Sequence, residues 1–236
     1  MPDNSSLVSL ARGLAHNFNN SLTGISGSVQ IAMMDEIPET TRSALTNAMK
    51  SAERMANLVR QLLEFSRAGD IKRNEFPVSG LGILFRELNA AAPERFAIDL
   101  PPIRFYGDEV KILMMLRMLV GRAAEVLEGI ENGRVDVAAF PSTKEFFGCR
   151  KDALVFTVAD NGPAIPESAL PHIFEPLFNP YGRPEAGNLK LAVVDAIVAA
   201  HGGWVECTST ATGTVFSVYL PVTRQEPAAG PENRVG

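Results

Sequence analysis

The chain has 236 residues, 46% of them hydrophobic and 21% charged, with a formal net charge of -5; it is long enough for one compact domain plus a smaller element and reads as soluble and folded rather than disordered. The acidic balance argues against a broad nucleic-acid footprint, and two distant cysteines, Cys149 and Cys207, support neither a disulfide framework nor a zinc site. No run approaches 18 uninterrupted apolar residues and the opening M-P-D-N-S-S lacks the parts of a signal peptide, so a cytoplasmic protein with no membrane partner is expected.

Leu14, Phe18, Leu22, Ile25, Val29 and Ala32 recur at steps of three and four, which marks one face of a helix. Ser5 or Ser6 can cap its start, and Pro38 ends the run. Thr40 or Thr41 then opens a second amphipathic run through Leu45, Ala48, Ala52, Met55, Val59 and Leu62 to Ser66, stopping near Gly69. Two long helices with a short connector form an antiparallel hairpin over residues 6–68. One hairpin has little interior, so two copies pairing into a four-helix bundle, a homodimer, is the economical way to bury both apolar faces. Packing of the hairpin onto its own C-terminal domain is the alternative.

A second domain is expected over residues 74–222. V-S-G-L-G-I-L-F-R-E-L reads as a helix, F-A-I-D-L as a short strand, and Asp108 to Leu127 as a strongly apolar helix. R-V-D-V-A-A-F and A-L-V-F-T-V-A-D read as neighbouring strands. Leu189 to His201 is helical and stopped by G-G, after which W-V-E-C-T-S and G-T-V-F-S-V-Y-L-P close a hairpin. The fold class is therefore α+β: a helical hairpin followed by a two-layer α/β sandwich. The tail, residues 223–236, is polar, rich in Pro and Gly, and expected to be disordered.

The stretch L-A-H-N-F-N-N-S-L-T-G-I raises the question of His16. It lies two positions from both Leu14 and Phe18, about 200 degrees around the helix, so it points away from the apolar stripe. Metal binding is disfavoured, because position 20 is Asn and no other ligand stands at suitable spacing. A solvent-facing imidazole near neutral pKa can attack a phosphoryl donor. Arg12 and Asn20, one turn to either side, share its face and could offset phosphate charge and hold a carboxamide near phosphorus or water. Composition alone does not overturn the plainer reading, a surface histidine without a role.

G-L-A-H-N-F-N-N-S-L-T-G-I-S-G closely resembles the phosphoacceptor motif of bacterial sensor histidine kinases, commonly A-H-D-F-N-N-L-L. D-N-G-P-A-I-P, Asp160 to Pro166, resembles that family's adenine-contacting D-x-G-x-G-I, and I-F-E-P-L-F, Ile173 to Phe178, its phenylalanine box. A-V-V-D-A-I-V-A-A-H-G-G-W-V-E and G-T-V-F-S-V-Y-L-P match the usual ending of the family's nucleotide-binding domain. The likeness runs in order from about residue 8 to 222 and implies His16 as phosphoacceptor. It also implies a receiver-docking surface at Asn19, Ser21, Thr23, Gly24, Gly27 and Ser28, with the second helix beside it.

The resemblance breaks in several places. Where the family has N-L-x-x-N-A-x-E-A, this chain has M-L-V-G-R-A-A-E-V, so Met118 and Arg122 stand at the asparagine positions that serve magnesium and phosphate, and Glu125 alone is kept. Methionine cannot ligate magnesium, and arginine puts a cation where the ion would sit. The second glycine motif, G-x-G-L-G-L in the family, reads A-G-N-L-K-L, with Asn188 and Lys190 at glycine positions; Ala164 replaces a glycine of the first motif, and the lid from Asn179 to Glu185 is short. Asn17 stands where an acid usually takes the proton from the histidine, and an amide is no general base.

This pattern is most like the dimeric, kinase-derived histidine phosphotransferases. The expectation is a phosphorelay protein that carries a phosphoryl group through His16 between response-regulator receiver aspartates, a hybrid kinase being one candidate source of such a receiver. Such a shuttle is expected to have no sensory segment before the hairpin. Asp160, Gly162 and Lys190 would then be vestigial, no cofactor would bind tightly, and the receiver would bring its own magnesium. The alternatives are a non-catalytic pseudokinase docking protein, or a kinase with residual ATP-dependent activity.

Overall fold

A computed structural model describes residues 4–83, 93–146, 149–179 and 189–222; for residues 4–14, 16, 93, 144–146 and 149–151 it describes the backbone alone. The chain divides into two compact units, Met1–Asp70 with Pro171–Ala196, and Ile71–Leu170 with Ile197–Gly236.

The first unit holds the expected hairpin, α1 (Asn4–Ala32) against α2 (Glu39–Ser66). Pro38 both ends the connector and starts α2. It is the N-cap, offers no side-chain cap, and its carbonyl accepts from Arg42 N–H at 3.0 Å. The helix thus begins at Glu39 rather than after the threonines, and an acid in the first turn complements the helix dipole. Only part of the apolar stripe is covered within one chain. Ala52 and Val59 are buried, but Phe18 is 46% exposed, Ile25 50%, Met55 46% and Leu62 37%. On the same unit Gln61 Oε1 accepts the backbone N–H of Leu189 at 2.8 Å, capping the start of α4 (Lys190–Ala200).

The second unit carries a five-stranded sheet in the order β2-β4-β5-β7-β6, formed by Phe96–Asp99, Val135–Phe146, Cys149–Asp160, Gly213–Pro221 and Trp204–Thr210 respectively. Only the β2–β4 pair is parallel. Central β5 is buried almost continuously from Ala153 to Val158, whereas β7 alternates, as one face of an antiparallel sheet does. Across β4 and β5 lies α3 (Glu109–Val126), with Ile112, Met115, Leu116, Leu119, Val120 and Ala123 buried on one face. Asp108 caps it by accepting Lys111 N–H at 3.0 Å.

Two features depart from the sequence expectation. The glycine-bearing run over Val78–Gly82 is a 3-10 turn, and the remainder of that predicted helix falls outside the described residues. A small second sheet was not foreseen: β1 (Asn74–Pro77) pairs antiparallel with β3 (Arg104–Gly107), and Phe76 meets Phe105 edge-on at 6.1 Å. Each strand has four residues and one buried phenylalanine, too short for alternation to register.

Asp108 also joins three segments. Its Oδ2 accepts Lys72 N–H at 2.7 Å, and its own backbone N–H donates to His201 Nε2 at 3.1 Å. The other ring nitrogen of His201 lies 2.8 Å from the Ile197 carbonyl, so the ring is neutral with its proton on Nδ1. Burial lowers the His201 pKa from its usual value; the Ile197 carbonyl opposes this, the Arg73 charge adds to it, and Asp108 opposes it. The folded state therefore binds this proton less readily than the unfolded state. Its stabilising contribution is complete above about pH 6.5 and declines as pH falls toward the lowered value. The expected result is a denaturant midpoint that drops between about pH 7 and 5.5 in the wild type, with a shallower drop in His201→Gln. Equal slopes in the two proteins would show that His201 does not carry the effect.

Candidate functional site

His16 lies within α1, its backbone helical and its side chain outside the described set. The residues after it, Asn17, Phe18, Asn19 and Asn20, are all exposed, and Ala15 is buried. Arg12 and Asn20 stand four residues to either side on the same helix, the arrangement that the helical period implies. Below them Ser21, Thr23 and Ser28 turn their hydroxyls back to the carbonyls of Asn17, Asn19 and Gly24, at 3.1, 2.8 and 2.9 Å. A Cβ on Gly24 or Gly27 would meet nothing within 4 Å. Among the described residues no contact requires those glycines, although each costs about 1 kcal/mol of helix stability relative to alanine.

The other two histidines have structural surroundings. His201 is 5% exposed with both ring nitrogens engaged. His172 pairs with Glu175 at 2.7 Å and its ring lies 5.7 Å from that of Phe178.

In the second unit the chemistry gathers at the end of β5. Asp160 is buried, its side chain 1% exposed. Oδ1 accepts Gly162 N–H at 3.0 Å, and Oδ2 accepts Arg122 Nη1 at 2.7 Å. The Arg122 guanidinium also lies over the Phe216 ring, 5.1 Å from its centroid, a favourable cation–π position. Gly162 is needed for close approach, since a Cβ there would come within 2.7 Å of Val126 Cγ1 and 2.9 Å of Asp160 Oδ1. Across the β5–β7 ladder, Asp160 faces Thr214, which is fully buried and shares a 2.8 Å hydrogen bond with Ser209; Ser209 Oγ in turn accepts Ile165 N–H at 2.9 Å. Burial pushes the nearby Cys207 thiol up to about 11, against the pull of Arg122 and with the push of Asp160, so it stays protonated near neutrality.

The sequence had singled out Arg122 and Asp160 for separate reasons and missed that they pair. Thr214 and Ser209 were missed altogether; the G-T that opens the closing strand was the signal available. Lys190 is the first residue of α4 and half-exposed. Ala186 and Asn188 of the glycine motif, most of the lid and the 223–236 tail lie outside the described residues.

The family's magnesium does not fit the side chains found at its positions. Met118 presents a thioether, and Arg122 a cation already bonded to Asp160, whereas magnesium needs oxygen donors in near-octahedral geometry. Removing only Arg122 would strand a buried carboxylate, at a cost of about 3–5 kcal/mol.

Residues 6–71 match the His Kinase A (phospho-acceptor) domain, and residues 107–224 match the histidine kinase-, DNA gyrase B- and HSP90-like ATPase. The chain is 27% identical over 232 residues to the sensory histidine kinase/phosphatase NtrB of Rhizobium meliloti, covering 93% of this chain and 59% of that protein. It thus spans about three-fifths of the length of that curated relative. Among solved structures, full-length ShkA in complex with AMPPNP has a TM-score of 0.63 at 25% identity, covering 92% of this chain and 46% of ShkA. The histidine kinase ThkA in complex with the response regulator protein TrrA has a TM-score of 0.61 at 24% identity, covering 94% of this chain and 64% of ThkA; that likeness is one of fold.

These findings overturn the expectation of a phosphotransferase without ATP-dependent activity, relaying between receiver aspartates through His16, and they do not back a pseudokinase. The ATPase match, residues 107–224, spans the altered positions of that domain, and ShkA, of similar fold, is solved in complex with AMPPNP. The physical reason is that the substitutions change side chains at the metal and phosphate positions. The frame around Asp160, with Gly162 beneath it and Gly213 and Thr214 across the ladder, is kept. With the phospho-acceptor domain and the ATPase domain matched in sequence along most of its length, this chain belongs to the sensor histidine kinases of bacterial two-component systems, of which it forms the kinase core.

Proposed function

We propose that the chain works as an ATP-dependent histidine kinase: nucleotide is read at Asp160, the γ-phosphoryl group is transferred to His16, and a response-regulator aspartate then receives it. The observation that carries this reading is the preserved frame at Asp160, a buried carboxylate set by Gly162 beneath and Thr214 across the ladder. Its test is incubation with γ-labelled ATP. Acid-labile, base-stable label on the protein is expected, and a chain that takes up no label from ATP would sink the proposal.

The receiver is proposed to dock on the α1 surface below His16, at Asn19, Ser21, Thr23, Gly24, Gly27 and Ser28. Small side chains whose hydroxyls are satisfied within the helix permit close approach and add few directional bonds, which suits a transient complex chosen by fit. The kinase fold shared with ThkA is one on which a response regulator has been seen, an argument by analogy of fold. A cytoplasmic location suits such a partner, and among the described residues no helix is long and apolar enough to cross a membrane.

The hairpin is proposed to pair with a second copy in a four-helix bundle. Support comes from the half-exposed Phe18, Ile25, Met55 and Leu62, apolar surface that an isolated hairpin leaves in water. Light scattering should report a dimer for the wild type, and Leu62→Glu should yield monomers or unfolded protein. A wild type that stays monomeric at high concentration would refute the bundle.

A further inference from the structure

We propose that this chain binds its nucleotide without magnesium, Arg122 standing in for the ion as counter-charge to the phosphates. The inference rests on the ATP-dependent reading of the same site and goes beyond it by naming the ionic form of the ligand. Asp160 is satisfied within the chain, by Gly162 N–H on Oδ1 and Arg122 on Oδ2. The Arg122 side chain is 12% exposed and has only one guanidinium N–H engaged by that carboxylate in the contact described, out of five donors in a planar fork. An incoming base amino group donates to Asp160 just as the guanidinium does, and so competes for the same carboxylate. The displaced guanidinium then keeps its charge and turns to the phosphates, where bidentate pairing is the geometry it favours.

Charge decides which form of the nucleotide is taken. A fixed cation at this position repels a divalent ion and attracts the more highly charged, metal-free nucleotide. Met118 supplies no oxygen to offset that repulsion. A purely structural Arg122, locked to Asp160, would instead weaken both forms of the nucleotide alike.

The test is calorimetry on the full chain with ATP, once in EDTA and once in excess magnesium. The expected result is binding in EDTA at least as tight as in magnesium, and an inverted preference in Arg122→Asn, in which magnesium tightens binding by about tenfold. Should Arg122→Asn fail to fold, Arg122→Lys keeps a cation near Asp160 and is expected to hold the preference for free ATP at lower affinity. Wild-type binding that weakens by about tenfold in EDTA overturns the inference and leaves the kinase reading in place. So does a preference for the magnesium complex in Arg122→Lys. Absence of binding in both conditions overturns the inference together with the ATP-dependent reading.

Discussion

His16→Gln is expected to abolish labelling from γ-labelled ATP while leaving the thermal unfolding midpoint unchanged. Glutamine keeps a polar, helix-compatible side chain of similar reach and removes the nucleophilic ring nitrogen. A stable fold is expected, because the helical period sets position 16 about 200 degrees around α1 from Leu14 and Phe18, and glutamine suits a helix. The remaining histidines are poorer acceptors: the His201 ring is buried with both nitrogens bonded, and His172 lies outside the phospho-acceptor match of residues 6–71. Asn17→Asp is the companion variant. It restores an ionisable acceptor beside His16, and general-base assistance contributes about 10²- to 10⁴-fold where proton removal limits the rate. A rise in initial labelling rate is therefore expected in Asn17→Asp and total loss in His16→Gln. Label that persists in the His16 variant would remove this residue as the acceptor.

Local patterns made the larger elements legible. The apolar run from Asp108 to Leu127 announced α3, which spans Glu109–Val126 with Asp108 as its cap. The G-G after His201 marked the end of α4 and the turn into the closing hairpin. The hairpin helices were readable from their period, although the start of α2 was set by Pro38 instead of a threonine. What escaped was long-range. Arg122 and Asp160 are 38 residues apart, Gln61 and Leu189 128 apart, and nothing in either segment of such a pair signals the other. The short β1–β3 ladder joins segments that look like loops, through the Phe76–Phe105 contact and the Arg104–Glu75 ion pair at 3.0 Å. The functional misreading has a related cause. Each altered motif position was weighed as a lost ligand, whereas Arg122 replaces a neutral amide by a charge that finds a partner in the fold. Loss of one donor set is not loss of the site when the frame that holds the base remains.

That frame leads to the second large effect. Gly213→Ala is expected to destabilise the second unit severely and to abolish nucleotide binding with it. Gly213 opens β7 at φ 137°, a region open to glycine and strained for alanine. A Cβ there would fall 1.9 Å from the Asp160 carbonyl oxygen and 2.9 Å from Asn161 Cα. These are backbone atoms, so no rotamer change relieves the clash, and the β5 end itself must move. Asp160 pairs there with both Val135 and Thr214, so the shift reaches β4 and β7 and turns the carboxylate away from Gly162. Backbone strain of about 1–3 kcal/mol and overpacking of similar size together rival a large part of a stability of about 5–15 kcal/mol. Gly121→Ala is the control. It lies within α3 with nothing within 4 Å of its added Cβ, so a gain of up to about 1 kcal/mol is expected from helix propensity. Urea unfolding should therefore move the two midpoints in opposite directions, with ATP binding kept in Gly121→Ala and lost in Gly213→Ala. A Gly213→Ala protein with a wild-type midpoint would mean that β7 can start without this close approach, and that Asp160 is not positioned by it.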